Sequence, residues 1–519
     1  MRNKKIVIPV LLLIILVGGV LFFMINNDTD DNSNTTTNNS SNSTDTTDEE
    51  VTGDNVGTSS AIRGTYSSKD LDESYDTNSA TKITLNGSSI SISGSGATVS
   101  ESTVTISSSG TYIINGTLTD GQIIVEAGDS DDVKLVLNGV TINCTTSSPI
   151  FVKNADKTII TLASGTTNTL TDTANYILNA DGEPTATIFS KDDLTINGSG
   201  SLVINANYND AIKSNDDLKI VNGTITMNSV DDAIIGKDSV SIKGGTITIV
   251  ATGDGIKSTN DTDNYAGYIV IDGGTINITA EVDGIQAVTN VTVNDGDITI
   301  KTGGGNSATI SSTSSAKGIK CGLYIFIVDG DINIDSADDS IHSNQDVTIS
   351  DGTMTLSSGD DGIHADSNLT IDDGNITISK SYEGIEGLNI TINNGTIDIT
   401  ASDDGINAAG GNDTSSTGGP MGNDKYSGSS GLITINGGTI TISAASSGTG
   451  DGLDSNGSIK IVDGTIKIKS PTSARDYSSV DCDGSLTMTG GNLYIDNTLY
   501  TASNITSLPS MQSGGNTKK

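Results

Sequence analysis

Residues 361–382 read DGIHADSNLTIDDGNITISKSY and residues 383–402 read EGIEGLNITINNGTIDITAS, one unit written twice. Each copy opens on an acid, Gly and Ile, alternates Leu or Ile with polar residues, turns on a Gly and alternates again. Apolar side chains at every second position are the mark of strands with one buried face. Strands this short, repeating every 21 or 22 residues, describe a solenoid whose turns bury that face on one another.

The same opening acid recurs at Asp210, Asp232, Asp254, Asp283, Asp339, Asp361, Glu383, Asp404 and Asp451. Between Asp283 and Asp339 one turn opens at Lys317 with KGIKC, and a last turn opens near Ser478 with SVDC. The longer gaps are single turns carrying loops, at 259–266, 302–316 and 410–431. In the turn at Asp361 the inward residues are Ile363, Leu369, Ile371, Ile376 and Ile378; the turn at Asp232 gives Ile234, Val240, Ile242, Ile247 and Ile249. Gly223, Gly244, Gly352, Gly374, Gly395 and Gly464 fall between the second and third strands, where a tight bend calls for φ > 0. Three strands per turn, stacked at roughly 4.8 Å, make an all-β parallel β-helix; hairpin-built sandwiches and barrels have no such register.

Composition agrees. The chain has 64 acids against 26 Lys and Arg, a formal charge of −38, no Trp and 5 Phe among 519 residues. That charge excludes nucleic acid as a partner and suits divalent cations. A solenoid of this length needs no division into domains, since each turn needs only its neighbours.

At the N-terminus MRNKK precedes twenty uncharged, mostly apolar residues, 6–25, enough to span a bilayer with the basic flank inside. This predicts a signal-anchor over 1–25, with a cleaved signal peptide as the competing reading. Residues 26–60, rich in Asn, Ser and Thr, read as a disordered stalk. The β-helix is expected over 61–500, outside the cell membrane, with a flexible tail over 501–519. Residues 66–80 break the repeat and are expected to cap the open N-terminal end of the core. Cys144, Cys321 and Cys482 stand too many turns apart to pair, so they fill small core positions.

Stacking makes columns. The opening acids form a ladder of carboxylates whose repulsion needs neutralising, and hard oxygen ligands suit Ca²⁺. The candidate ligands are Asp232, Asp254, Asp339, Asp361, Glu383 and Asp404, with Asp261 and Asp263 supplied by the loop after Asp254. The alternative is that these acids hold turns together by accepting backbone N–H bonds. Three residues past each acid comes an outward stripe: Lys213, Ile235, Lys257, Gln286, Lys320, His342, His364, Glu386, Asn407 and Asp454. Both histidines of the chain are in it. Lys213, Lys257, Lys320, His342 and His364 are the candidate glycan-binding residues, since a basic stripe beside cation-holding carboxylates suits an acidic glycan. A solvated face without ligand is the competing reading, and a histidine pair on a transition metal lacks an evident third ligand.

These blocks also carry a resemblance. YSSKDLDESYDTNSATKITLNG, GTLTDGQIIVEA, LVLNGVTI, PIFVKNADKTIITLASGTTNTL, IFSKDDLTINGSGSL, the DGIKS, DGIHA and EGIEG turns, SDDGINAAGGND and DGLDSNGSI together resemble the family of carbohydrate-binding domain-containing proteins of bacteria and archaea. The resemblance implies a right-handed β-helix similar in fold to pectate-type polysaccharide lyases. It further implies binding of cellulose and of acidic sugars such as polygalacturonate, with calcium held on the helix and no established catalysis. Ile235, Lys317 and the SVDC turn depart from the pattern. The alternatives are a calcium-dependent lyase, in which Lys213, Lys257 or Lys320 would take a proton from a uronate, and an adhesin or structural surface protein.

Overall fold

The computed structural model describes residues 60–311, 313–409, 431–443, 450–470 and 478–508. The expected anchor, nearly all of the stalk, most of the loop at 410–431 and residues 509–519 lie outside the described residues. The unit Met1–Glu49 is entirely outside them, and every described residue belongs to the unit Glu50–Lys519. Among the described residues no helix is long and apolar enough to cross a membrane.

Strands of successive turns pair in parallel at the expected offsets. Ile212, Ile234, Ile256, Ile285, Ile319, Ile341, Ile363, Ile385, Ile406 and Leu453 follow one another in register along the first strand. Lys317 thus opens a regular turn, and Val480 bridges Leu453, which confirms the turn near Ser478. The ten inward residues named above are each at most 1 % exposed, in one continuous aliphatic core. The three cysteines are free and buried. The described residues form an all-β parallel β-helix.

The bend before the third strand explains one column of glycines. Gly223, Gly352, Gly374, Gly395 and Gly464 all have positive φ. In the Asp232 turn, however, Gly245 and not Gly244 takes that conformation, because Thr224 pairs with Thr246 and so aligns Gly223 with Gly245. At Gly352 φ is 108°, and a Cβ would lie 2.9 Å from the Gly330 carbonyl oxygen. Gly352→Ala should therefore cost about 1–3 kcal/mol, read as a lower urea midpoint. An unchanged midpoint would mean the bend can relax.

Residues 66–80 do not cap the core. They run lengthwise along the side of the solenoid. Asn294 donates to the Ile62 carbonyl, Gly64 N and Tyr66 Oη bond Asp272, and Asn222 reaches Glu73. Ser67 caps the one-turn helix Ser68–Leu71, and the fully buried Asp70 of that turn accepts from Thr195 (2.7 Å) and Lys157 (3.1 Å). The open end is covered instead by Ser89–Ser93 and Ala97–Ser100, which fold back antiparallel on Thr81–Gly87 and Thr103–Ile106 and lay Ile90, Ile92 and Ala97 on the core. Antiparallel return is the physical reason: it uses up the edge of the first turn, which an extended segment lying on the flank cannot do. At the other end Thr498–Tyr500 pairs back on Asn492–Ile495, and Ile505 and Leu508 pack against the core, so the packed chain continues to Leu508.

Candidate functional site

The first strands stack two columns of chemistry side by side. In most of the acid column, Asp210 and Glu383 excepted, one carboxylate oxygen accepts the backbone N–H that opens the next turn. Asp232 takes Asp254 N (2.6 Å), Asp254 takes Asp283 N (2.8 Å), Asp283 takes Lys317 N (2.8 Å) and Asp339 takes Asp361 N (2.9 Å). Asp361 likewise takes Glu383 N, and Asp404 takes Asp451 N. The glycine after the acid lets turns approach this closely: a Cβ on Gly255 would sit 2.5 Å from the Gly284 carbonyl oxygen. The turn-stabilising role that sequence left open is thus present in the fold.

The second oxygen faces the stripe. Lys213 lies 3.5 Å from Asp210, Lys257 lies 2.7 Å from Asp254 and 3.1 Å from Asp232, and Lys320 lies 3.4 Å from Asp283. Ser315, returning from the 302–316 loop, bridges Asp283 (2.6 Å) and the Lys320 ammonium (3.1 Å). His342 Nδ1 is 2.8 Å from Asp339, and His364 Nδ1 is 3.2 Å from Asp361 and 2.6 Å from Glu386. The acid and the base three residues later are partners, so the chain supplies much of its own neutralisation.

This changes two expectations. The carboxylates are not an exposed ladder: Asp232, Asp254, Asp339, Asp361 and Glu383 are all under 10 % exposed, and Asp404 is half-buried. The stripe is in the expected register but is not a solvated face. Ile235 is buried; His342 and His364, at 4 % and 0 % exposure, do not present to solvent because Asn344, Asp366 and Glu386 close on their rings. The three lysines are about a quarter exposed and remain accessible.

The histidines stack at 4.7 Å with 15° between planes. Both nitrogens of His364 face carboxylates, and although burial pulls its pKa down, Glu386 and Asp361 hold it well above the ordinary histidine range. Burial and the Lys317 charge push His342 down, the opposite direction from its stacked partner.

Lys317, in the acid column itself, is 1 % exposed with its ammonium 2.9 Å from Asp338 and bonded to Asp339. Asp261 and Asp263 stay on an exposed loop, and neither joins any convergent set of ligand atoms found among the described residues. Such sets are Asp361–His364–Glu386, Asp338–Asp339–Asp360 and Asp451–Asp454–Asp481. Asp481, which sequence reasoning did not single out, follows Asp454 in the stripe because Leu453 bridges Val480. Upstream, Phe151 and Phe189 precede Lys213 in the same register, edge to face at 5.7 Å. The signal for them was the repeated Ile-Phe of PIFVK and TIFSK.

As chemistry, the stripe offers ammonium donors and carboxylate acceptors at protein-fixed spacing. It offers a poor base at Lys257: burial lowers that pKa, but Asp254 and Asp232 reverse this and hold the amine protonated.

Comparison with known proteins bears on what such columns meet. A family model described as "Carbohydrate-binding domain-containing protein" matches residues 100–362 and 360–507. The chain belongs to this family. A carbohydrate-binding domain-containing protein of Acetivibrio thermocellus is 46 % identical over 122 residues, 23 % of this chain and 43 % of that protein. The chain thus spans less than half the length of that relative. A solved structure of a polysaccharide lyase-like protein from C. thermocellum, a gadolinium derivative, is 39 % identical, with a TM-score of 0.45 over 48 % of this chain and 96 % of that one. Within the stripe the accessible cations are Lys213, Lys257 and Lys320, each about a quarter exposed.

Proposed function

We propose that the protein binds polysaccharide, cellulose or acidic polymers such as polygalacturonate, on the outside of the cell membrane. In this reading the chain is a right-handed β-helix held by its N-terminal anchor, and Ca²⁺ bridges protein and glycan carboxylates. The observation that carries it is the family match, which covers nearly the whole β-helix. Lys213, Lys257 and Lys320 add geometry. They stand on alternate turns, roughly 10 Å apart at the spacing of paired strands, so an extended polymer lying along the axis meets an ammonium at regular intervals. Because each lysine already faces a carboxylate, direct attraction to a uronate is weak, about 0.2–1 kcal/mol per exposed contact. Several contacts on one polymer act together, and calcium supplies what the lysines lack.

Lys213→Gln with Lys320→Gln should weaken retention on polygalacturonate, more at low salt than at high. The control is Lys460→Gln with Lys467→Gln, exposed residues on the second and third strands. Equal loss in both pairs, or in neither, would place the binding surface elsewhere.

A further inference from the structure

On the N-terminal side of Lys213 the stripe runs into a loop. Residues 172–185 join the third strand of one turn, Thr167–Thr171, to the first strand of the next, Ala186–Ser190. One end of the loop is fixed where that first strand begins: Tyr176 Oη donates to Asp172 (2.6 Å) beside the Ala186 carbonyl. The other end is fixed where the strand finishes: Glu183 accepts from Asn215 (2.9 Å) and lies 2.9 Å from the Lys191 ammonium. Ala186–Ser190 is paired on both sides, with Ile150–Asn154 and Asp210–Ser214, and its Ile188 points into the core. The one way from its start to its end is over the outer face, so the loop crosses the stripe as a bar.

The turn of Lys213 clasps the bar from both ends of its own strand. Tyr208, just before Asp210, stacks on Tyr176 at 4.1 Å with 7° between rings, and Asn215, just after Ser214, holds Glu183. Residues 177–182 between these anchors are exposed, Ile177 at 74 %, so the bar stands above the strands beneath it. The stripe changes character there. Phe151 and Phe189 are buried, whereas Lys213, next in register, is a quarter exposed. Among the described residues the Lys213 ammonium has one acid partner, Asp210 at 3.5 Å, while Lys257 has two and Lys320 has Ser315 besides Asp283. The cation beside the bar is thus the least committed of the three.

We propose that the bar makes the stripe a blind-ended site, which takes the end of an acidic polysaccharide with the terminal residue's carboxylate on Lys213. The inference rests on the polysaccharide-binding reading above and adds which part of the polymer is recognised. A polymer lying along the axis meets the bar broadside. An internal stretch has to lift away before it reaches Lys213 and forfeits that contact, whereas a chain end stops there and forfeits nothing; the clash with internal stretches is what selects the end. The lysines at Lys257 and Lys320 then meet the residues that follow. Each end accommodates one protein, so the amount bound counts chain ends and not polymer mass.

The test compares polygalacturonate of two mean chain lengths at equal mass, with the full chain added to saturation in calcium and bound protein measured by sedimentation. The shorter preparation should hold more protein in proportion to its ends, about tenfold more for a tenfold cut in length. Lys191→Ala/Asn215→Ala removes the two side chains that hold Glu183 and frees that end of the bar, so in this variant the ratio should fall toward one. Equal binding per gram at both lengths by the unaltered chain would overturn end recognition while leaving polysaccharide binding standing. An unchanged ratio in the variant would overturn the assignment to the bar. No binding at either length would remove the reading on which the inference rests, and the inference with it.

Discussion

Replacing Lys317 with Met should lower stability by about 3–5 kcal/mol, the cost of leaving buried charge without its partner. The side chain is nearly isosteric, so the loss isolates the charge. In the native protein the ammonium lies between Asp338 and Asp339, and Asp360 offers an oxygen within the same 4.8 Å group. Burial alone would push the Asp339 carboxyl up; Lys317, with His342, holds it well below the usual carboxylate range. Without the lysine, adjacent carboxylates face one another in a dry site. The urea midpoint at pH 8 should therefore fall sharply. It should fall less as the pH is lowered, because Asp338, already pushed up by burial and by Asp339, is the carboxyl set to take up a proton. Lys317→Met/Asp339→Asn should recover part of the loss. A Lys317→Met midpoint within about 0.5 kcal/mol of the parent, the range of ordinary surface changes, would show that the ammonium is not the counter-charge.

Stability in chelator should decline as pH rises from about 5 to about 8. Burial pushes Asp210 and Asp216 up to about 7 and Asp404 up to about 8. In the unfolded chain the same groups titrate near 4. Between those limits the folded state binds more protons than the unfolded state, so stability falls with rising pH and the contribution is lost as pH passes 7 to 8. Asp70 and Asp339, held low in the folded state, act oppositely, and their contribution is lost only as pH falls below the ordinary carboxylate range. Tm should thus peak on the acidic side of neutrality. Asp404→Asn should flatten the decline. A Tm that is level or rising from pH 5 to pH 8 would contradict the buried-acid account.

The register was legible because a β-helix repeats its sequence constraints at every turn. Ile at the first strand, Gly at the bend and alternating Ile, Leu or Val each recur, so a single offset locates all of them. What covers a column was not legible. The stripe puts His342 beside His364 by counting alone, but nothing local says that Asn344, Asp366 and Glu386 close over their rings. Nor does the acid column by itself tell that the base three residues later is its partner, though DGIK and DGIH repeat that pairing in sequence. The flank-lying segment was misread for a similar reason. Its partners Thr195, Asp272 and Asn294 are 125, 206 and 232 residues from Asp70, Tyr66 and Ile62, and only the stacked turns bring them into one line. Gly244 against Gly245 is a smaller case: two adjacent glycines satisfy the same pattern, and the strand pairing chooses between them.

The central claim, that this β-helix binds polysaccharide with calcium as the bridge, is tested most directly by retention of the full chain on polygalacturonate and on cellulose, each with calcium and with chelator. The account predicts retention on polygalacturonate in calcium and its loss in chelator at a temperature well below Tm. No retention on either polymer in the presence of calcium would contradict it.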